Sequence, residues 1–246
     1  MKIVLICEGQ DDLWFLCYYL HKKCGWILAD KKIWNNYKIP DNNKRKVIYM
    51  RSEESLSTIS VVSSNGQNGI KCVVDDILNI NQQFPQDSIE KLVIFRDCDD
   101  RPQEEVASSM SVYFMENMHL KNRTVTDYSR SIDGLNITLQ ILPVVIPFDE
   151  QGAIETLLMK SISDKCIEGK YVVKNANEYI EKAIVNVKPK YLNKQREQTK
   201  AKYSATLAIT NPTKSRDNFE ELMMSTDWEN SSSVDLHMRE IRNFII

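Results

Sequence analysis

The sequence predicts an α/β fold, a mainly parallel sheet flanked by helices with a helical extension at the C-terminal end. Three observations predict it. Apolar runs of strand length recur at residues 2–7, 92–95 and 137–146, and segments with helical spacing lie between them. Two of the runs stop on acidic clusters, Glu8-Gly9-Gln10-Asp11-Asp12 and Asp97-Cys98-Asp99-Asp100. Strands that alternate with helices build βαβ units with right-handed crossovers, and open sheets of that kind carry their sites at the carboxyl ends of the strands.

The elements follow in order. Ile3-Val4-Leu5-Ile6 reads as a strand buried on both faces. A helix from about Leu13 to Lys23 comes next, with Asp11 or Asp12 as its cap, Lys22 and Lys23 at its negative end and Gly25 just after. Residues 46–50 and 58–63 are β-rich, and the turn Ser64-Asn65-Gly66-Gln67-Asn68-Gly69 opens a helix whose apolar stripe is Val73, Ile77, Ile80 and Phe84. That turn could cradle a phosphate through backbone N–H groups or be a plain turn; it lacks the lysine pattern of an ATPase P-loop.

Leu92 to Phe95 is a second buried strand. Pro102 then sits in the first turn of a helix with Glu104 and Glu105 behind it and Val106, Met110, Tyr113, Phe114 and Met118 as its apolar face. A β-rich segment runs from about Ile137 to Ile146. Beyond residue 150 the apolar spacing becomes helical, in Ile154-Leu157-Leu158-Ile162, Tyr179-Ile180-Ala183-Ile184, Tyr203-Leu207 and Ile241-Phe244-Ile245. The expected division is a metal-binding domain over 1–165 and a helical extension over 166–246. The one linker-like stretch is polar, from Asn211 to Asp217.

At 246 residues with 42% hydrophobic and 27% charged residues, the composition is that of a folded globular chain. With 32 basic and 34 acidic residues, the net charge of −2 gives no global pull on nucleic acid, so any polyanion site is local. No stretch approaches the roughly 18 apolar residues of a membrane span, and the first apolar run breaks on Glu8, well before a signal-peptide core would end. The six cysteines form no CxxC pair and are expected to be reduced thiols of a cytoplasmic protein. His21, His119 and His237 show neither zinc-like spacing nor a catalytic dyad.

The acidic clusters carry the chemistry. Asp97 and Asp99 are two apart, so if the strand persists both side chains leave one face while Cys98 turns into packing. Placed near Glu8, these carboxylates repel unless a divalent cation neutralises them, and oxygen ligands select Mg²⁺ or Mn²⁺. Strand-end aspartates are also common in ordinary turns.

An E-G-x-x-D turn closing the first strand, paired with a D-x-D closing a later one, resembles the TOPRIM domain of topoisomerases, DnaG-type primases and OLD-family nucleases. The resemblance covers roughly residues 1–160. It implies that Glu8, Asp12, Asp97 and Asp99 are metal ligands, and Glu155, in Gly152-Ala153-Ile154-Glu155, is the candidate for the family's later glutamate. Glu155 also reads as a solvated residue of a first helical turn, favourable there through the helix dipole. OLD-like nucleases also carry a late lysine near their metals, for which Lys200 and Lys202 are the two candidates. Both lie in the basic run from Lys188 to Lys202, whose plainer reading is a solvated helix face.

What the resemblance implies is a nuclease that uses one or two Mg²⁺ or Mn²⁺ ions to hydrolyse DNA or RNA, in the manner of a phage-defence effector. A separately encoded ATPase would be its partner, since OLD-like nucleases are usually fused to one. The alternative is a non-catalytic TOPRIM module that docks a partner; a topoisomerase or primase fits less well. The helical tail could serve dimerisation, substrate contact or completion of the core.

Overall fold

The structure is a computed structural model that describes residues 1–34, 39–41, 45–114, 118–132, 134–187, 190–212, 223 and 227–246. It has the α/β architecture that the apolar runs predict. The strands of the described residues form one seven-stranded mixed sheet in the order β2-β3-β4-β1-β5-β7-β6. At its centre β1 (Lys2–Cys7) pairs in parallel with β4 (Thr58–Ser63), from Lys2 opposite Thr58 to Cys7 opposite Ser63. It also pairs in parallel with β5 (Lys91–Asp97), from Ile3 opposite Lys91 to Ile6 opposite Ile94. Central parallel strands are covered on both faces, which is why β1 and β5 read as continuous apolar runs; Val4, Leu5, Ile6, Val93, Ile94 and Phe95 are all fully buried.

Beyond β5 lies β7 (Leu135–Ile146). The Gln140 N–H donates to Glu90 O at 3.0 Å and the Cys98 N–H to Ile146 O at 2.8 Å, so the two strands run the same way. The edges are antiparallel. On one side β3 (Lys46–Ser52) joins β4 and β2 (Trp26–Leu28), and on the other β6 (Thr126–Ile132) joins β7.

Several boundaries differ from the sequence expectation, each for a local reason. Helix α1 (Gln10–Cys24) starts earlier than Leu13, because Gly9 is the N-cap residue and Asp12, inside the first turn, accepts the Gly9 N–H at 2.8 Å. Its end is as expected: Gly25, at φ 67°, takes the left-handed conformation that closes a helix, and strand β2 follows at once. Helix α2 (Gln67–Gln83) opens after Gly66 as the turn predicts. Helix α3 (Gln103–Ser109) stops well before Met118: the Ser109 hydroxyl donates to Val106 O at 2.6 Å, and a short 3₁₀ turn over Met110–Tyr113 follows. Strand β6 was not expected at all, since Asp127 and Ser129 are exposed and Tyr128 alone of that trio turns inward.

Packing divides the chain into two compact units. One comprises Met1–Arg96, Glu104–Val145 and Glu240–Ile246, and holds most of the sheet with α1 and α2. The other comprises Asp97–Gln103 and Ile146–Arg239. Within it α4 (Ile154–Lys165), α5 (Ile167–Val187) and α6 (Gln195–Thr210) pack on one another. Helix α4 therefore belongs with the helices that follow it, and the division does not fall at residue 165. The last helix, α7 (Ser232–Ile245), begins in the helical unit and ends in the sheet unit. Of the linker-like stretch, 213–217 lies outside the described residues. No helix among the described residues is long and apolar enough to cross a membrane.

Candidate active site

In the sheet unit, β1 ends on Glu8 because the apolar run ends there. Glu8 is fixed twice: its carbonyl accepts the Gly66 N–H at 2.9 Å, and its Oε1 accepts Arg96 Nε–H at 2.5 Å. Arg96 stands in β5 and is 2% exposed. Its Nη2 is buried with no hydrogen-bond partner among the described residues, so Glu8 balances a guanidinium held away from water. Asp12 is buried one helical turn later, with one oxygen on the Gly9 N–H.

In the helical unit the second acidic cluster is folded differently from a continuing strand. Strand β5 ends at Asp97, and Asp99 adopts φ 52° and bridges Gly152, its N–H donating to Gly152 O at 2.8 Å. Strand alternation therefore does not govern Asp99, and the shared face expected of Asp97 and Asp99 does not arise in that way. Cys98 does turn into packing and is fully buried, and burial pushes its thiol pKa up. Gly152 is needed where it is: at φ 152°, a Cβ there would come within 2.2 Å of Thr156 Oγ1.

The bridge brings the start of α4 to Asp97. The residue before the helix, Ala153, has no side-chain acceptor, and Asp97 Oδ1 takes the Ile154 N–H at 2.9 Å instead. Glu155 is the next residue, 5% exposed, and Lys200 Nζ from α6 lies 3.2 Å from its Oε1. Lys202 points to another partner, Glu181, at 2.9 Å. Asp97, Glu155 and Lys200 are thus gathered at one helix start, whereas Lys202 is not among them.

Sequence reasoning missed Arg96; its signal was a lone basic residue interrupting the apolar run just before Asp97. It also gave no role to Gln103, whose amide donates to Pro147 O at 2.7 Å and Glu150 O at 2.8 Å and ties the loop before α4. His237 is fully buried, and Nε2 accepts the Phe148 N–H at 3.0 Å while Nδ1 lies 2.7 Å from Ser233 O. Both ring nitrogens serve the fold.

Among the described residues no group of three or more His, Cys, Asp or Glu side chains is gathered so as to hold a metal ion. The donors expected of a metal site are divided between the units, Glu8 and Asp12 in one and Asp97, Asp99 and Glu155 in the other. In kind they fit a hard cation: all are carboxylates, and buried Glu155 is balanced by a lysine whose side chain is 46% exposed and can leave for solvent.

A family model described as "Protein of unknown function (DUF3226)" matches residues 2–240. The chain belongs to the DUF3226 family. No curated protein matches this DUF3226 chain. Among solved structures, the crystal structure of hypothetical protein PH0156 from Pyrococcus horikoshii OT3 is similar to it, with a TM-score of 0.50 and 16% identity over 99% of this chain and 94% of that one. At that identity the likeness bears on the fold, and the fold is α/β.

Proposed function

We propose that this DUF3226 protein is a TOPRIM-type nuclease that hydrolyses phosphodiester bonds of DNA or RNA with Mg²⁺ or Mn²⁺. The observation that supports this reading best is the meeting of Asp97, Glu155 and Lys200, distant in sequence, at the start of α4. The ligands we propose are Glu8 and Asp12 in the sheet unit and Asp97, Asp99 and Glu155 in the helical unit. Bound there, a divalent ion supplies a lowered pKa for water and positive charge beside the phosphate.

The protein's own groups do the rest. The Ile154 N–H fixes one oxygen of Asp97, so that carboxylate keeps its orientation without depending on a ligand. Lys200 balances Glu155 in the resting protein. Released from it, the ammonium is a cation for phosphate oxygens, where developing negative charge is best stabilised. A separately encoded ATPase as partner and a role in phage defence belong to the same proposal.

The test is cleavage of labelled single- and double-stranded DNA and RNA by the purified protein with Mg²⁺ or Mn²⁺, against an EDTA control. Asp97→Asn and Glu155→Gln should lose at least 100-fold in rate while their melting temperatures stay close to wild type. Variants that cut as well as wild type would overturn the assignment. A wild type inert on every substrate, alone and with a neighbouring ATPase, would favour the non-catalytic docking module.

A further inference from the structure

A cavity of about 340 Å³ lies within the helical unit, walled by α4, α5 and α6 and by the loop before α4. Apart from Met159 and Val173, every side chain on its wall carries a charged or hydrogen-bonding group. Lys160 and Lys202 stand on it, each holding a carboxylate, Asp149 at 2.5 Å and Glu181 at 2.9 Å. Asn177, also on the wall, has a buried Oδ1 with no hydrogen-bond partner among the described residues. An unmet acceptor of that kind is completed by a donor from water or a ligand.

Two further features bear on what the cavity could hold. Thr156 and Thr199 line the cavity and are the immediate neighbours of Glu155 and Lys200, so the same two helical turns serve the cavity and the ion pair. Residues 149–212, which carry the whole wall, hold eleven Lys or Arg against eight Asp or Glu, a net +3 in a chain whose total is −2. A local excess of this sign draws polyanions.

We propose that this cavity takes one unpaired nucleotide of a nucleic-acid strand, its phosphate towards Lys160 and Lys202 and its base edge against Asn177 and Gln195. The choice of ligand rests on the nuclease reading. Ligand pockets start at roughly 300 Å³, so the volume suits one small polar molecule and excludes a duplex. Amide side chains offer a donor and an acceptor together, which matches the edge of a base that is not paired. The substrate class that follows is a single strand, or the single-stranded part of a structured nucleic acid.

Titration calorimetry in EDTA tests this without any cleavage, with 5′-AMP, 5′-UMP and inorganic phosphate as probes. At least one nucleotide should bind 10-fold or more tightly than phosphate. Val173→Phe, which fills the cavity, and Gln195→Ala, on the exposed first turn of α6, should each weaken it at least 5-fold. Gln195→Ala guards against misfolding of the bulkier variant, and its melting temperature should match wild type. Nucleotides binding no more tightly than phosphate, or binding both variants as they bind wild type, would overturn the proposal. Nucleotide binding in a protein that cuts nothing would sink the nuclease reading and leave the cavity assignment standing; duplex cleavage untouched by both variants would do the reverse.

Discussion

Glu8 and Arg96 in the sheet unit, and Glu155 and Lys200 in the helical unit, are both carboxylate–cation pairs, but burial falls on opposite partners. The Arg96 side chain is 1% exposed and that of Glu8 17%. In the second pair Glu155 is 7% exposed and Lys200 46%. A lysine that reaches in from solvent can withdraw along its own flexible stem and be replaced by another cation at small cost. A buried guanidinium on β5 cannot, so Glu8 keeps Oε1 on Arg96 while Glu155 is the carboxylate poised to change partners.

The largest effect should come from Glu8→Ala. It strands a buried charge, and urea unfolding should show a loss of about 3–5 kcal/mol. The double variant Glu8→Leu with Arg96→Met should recover most of it, since replacing both partners of a buried pair by apolar groups is often neutral. If Glu8→Ala costs under about 1 kcal/mol, Arg96 is not balanced as described.

The helical pair should show the reverse asymmetry. Lys200→Ala leaves a buried carboxylate short of its partner and should cost about 1–3 kcal/mol. Glu155→Gln leaves only an exposed lysine and should stay within about 1 kcal/mol of wild type by the same measurement. Equal losses in the two variants would erase the distinction drawn between the pairs.

Asp97 separates orientation from charge. Asp97→Ala removes the acceptor of the Ile154 N–H and should cost about 1 kcal/mol, as loss of an N-terminal helix acceptor does. Asp97→Asn keeps an acceptor oxygen, so thermal melting should show it closer to wild type than the alanine variant.

The smallest effect belongs to an exposed pair, Asp149 and Lys160. The hydrogen bond from Lys160 holds the Asp149 carboxyl below its ordinary pKa of 3.8. A depressed carboxyl stabilises the fold above its ordinary pKa and loses that contribution as pH falls. Asp149→Asn should therefore cost under about 1 kcal/mol at pH 7, and the difference from wild type should vanish as the pH is taken below 3.8.

Legibility in the sequence followed burial. Strands β1 and β5 were plain because both faces are covered, so Ile3 to Ile6 and Leu92 to Phe95 have no polar alternation to blur them. Strand β6 escaped because it is an edge with polar residues on its open face; the Asp133-Gly134 pair after it was the missed hairpin signal. Spacing brought out Asp97 and Asp99, but not that Asp99 would leave the strand for a left-handed turn against Gly152. Glu155 and the late lysines came from the family resemblance, and helical periodicity had no means to separate Lys200 from Lys202, which differ only in the partner that α6 brings them. The cavity was invisible, since its wall is assembled from three helices and a loop far apart in sequence.

The proposed chemistry depends on Asp97, Asp99 and Glu155 of the helical unit binding a divalent ion. Titration of Mn²⁺ followed by electron paramagnetic resonance, with wild type, Asp97→Asn and Glu155→Gln at neutral pH, measures that binding. The wild type should bind one or two Mn²⁺ ions saturably, and each variant should bind at least 10-fold more weakly. Binding that is absent from the folded wild type, or equal in all three proteins, would contradict that chemistry.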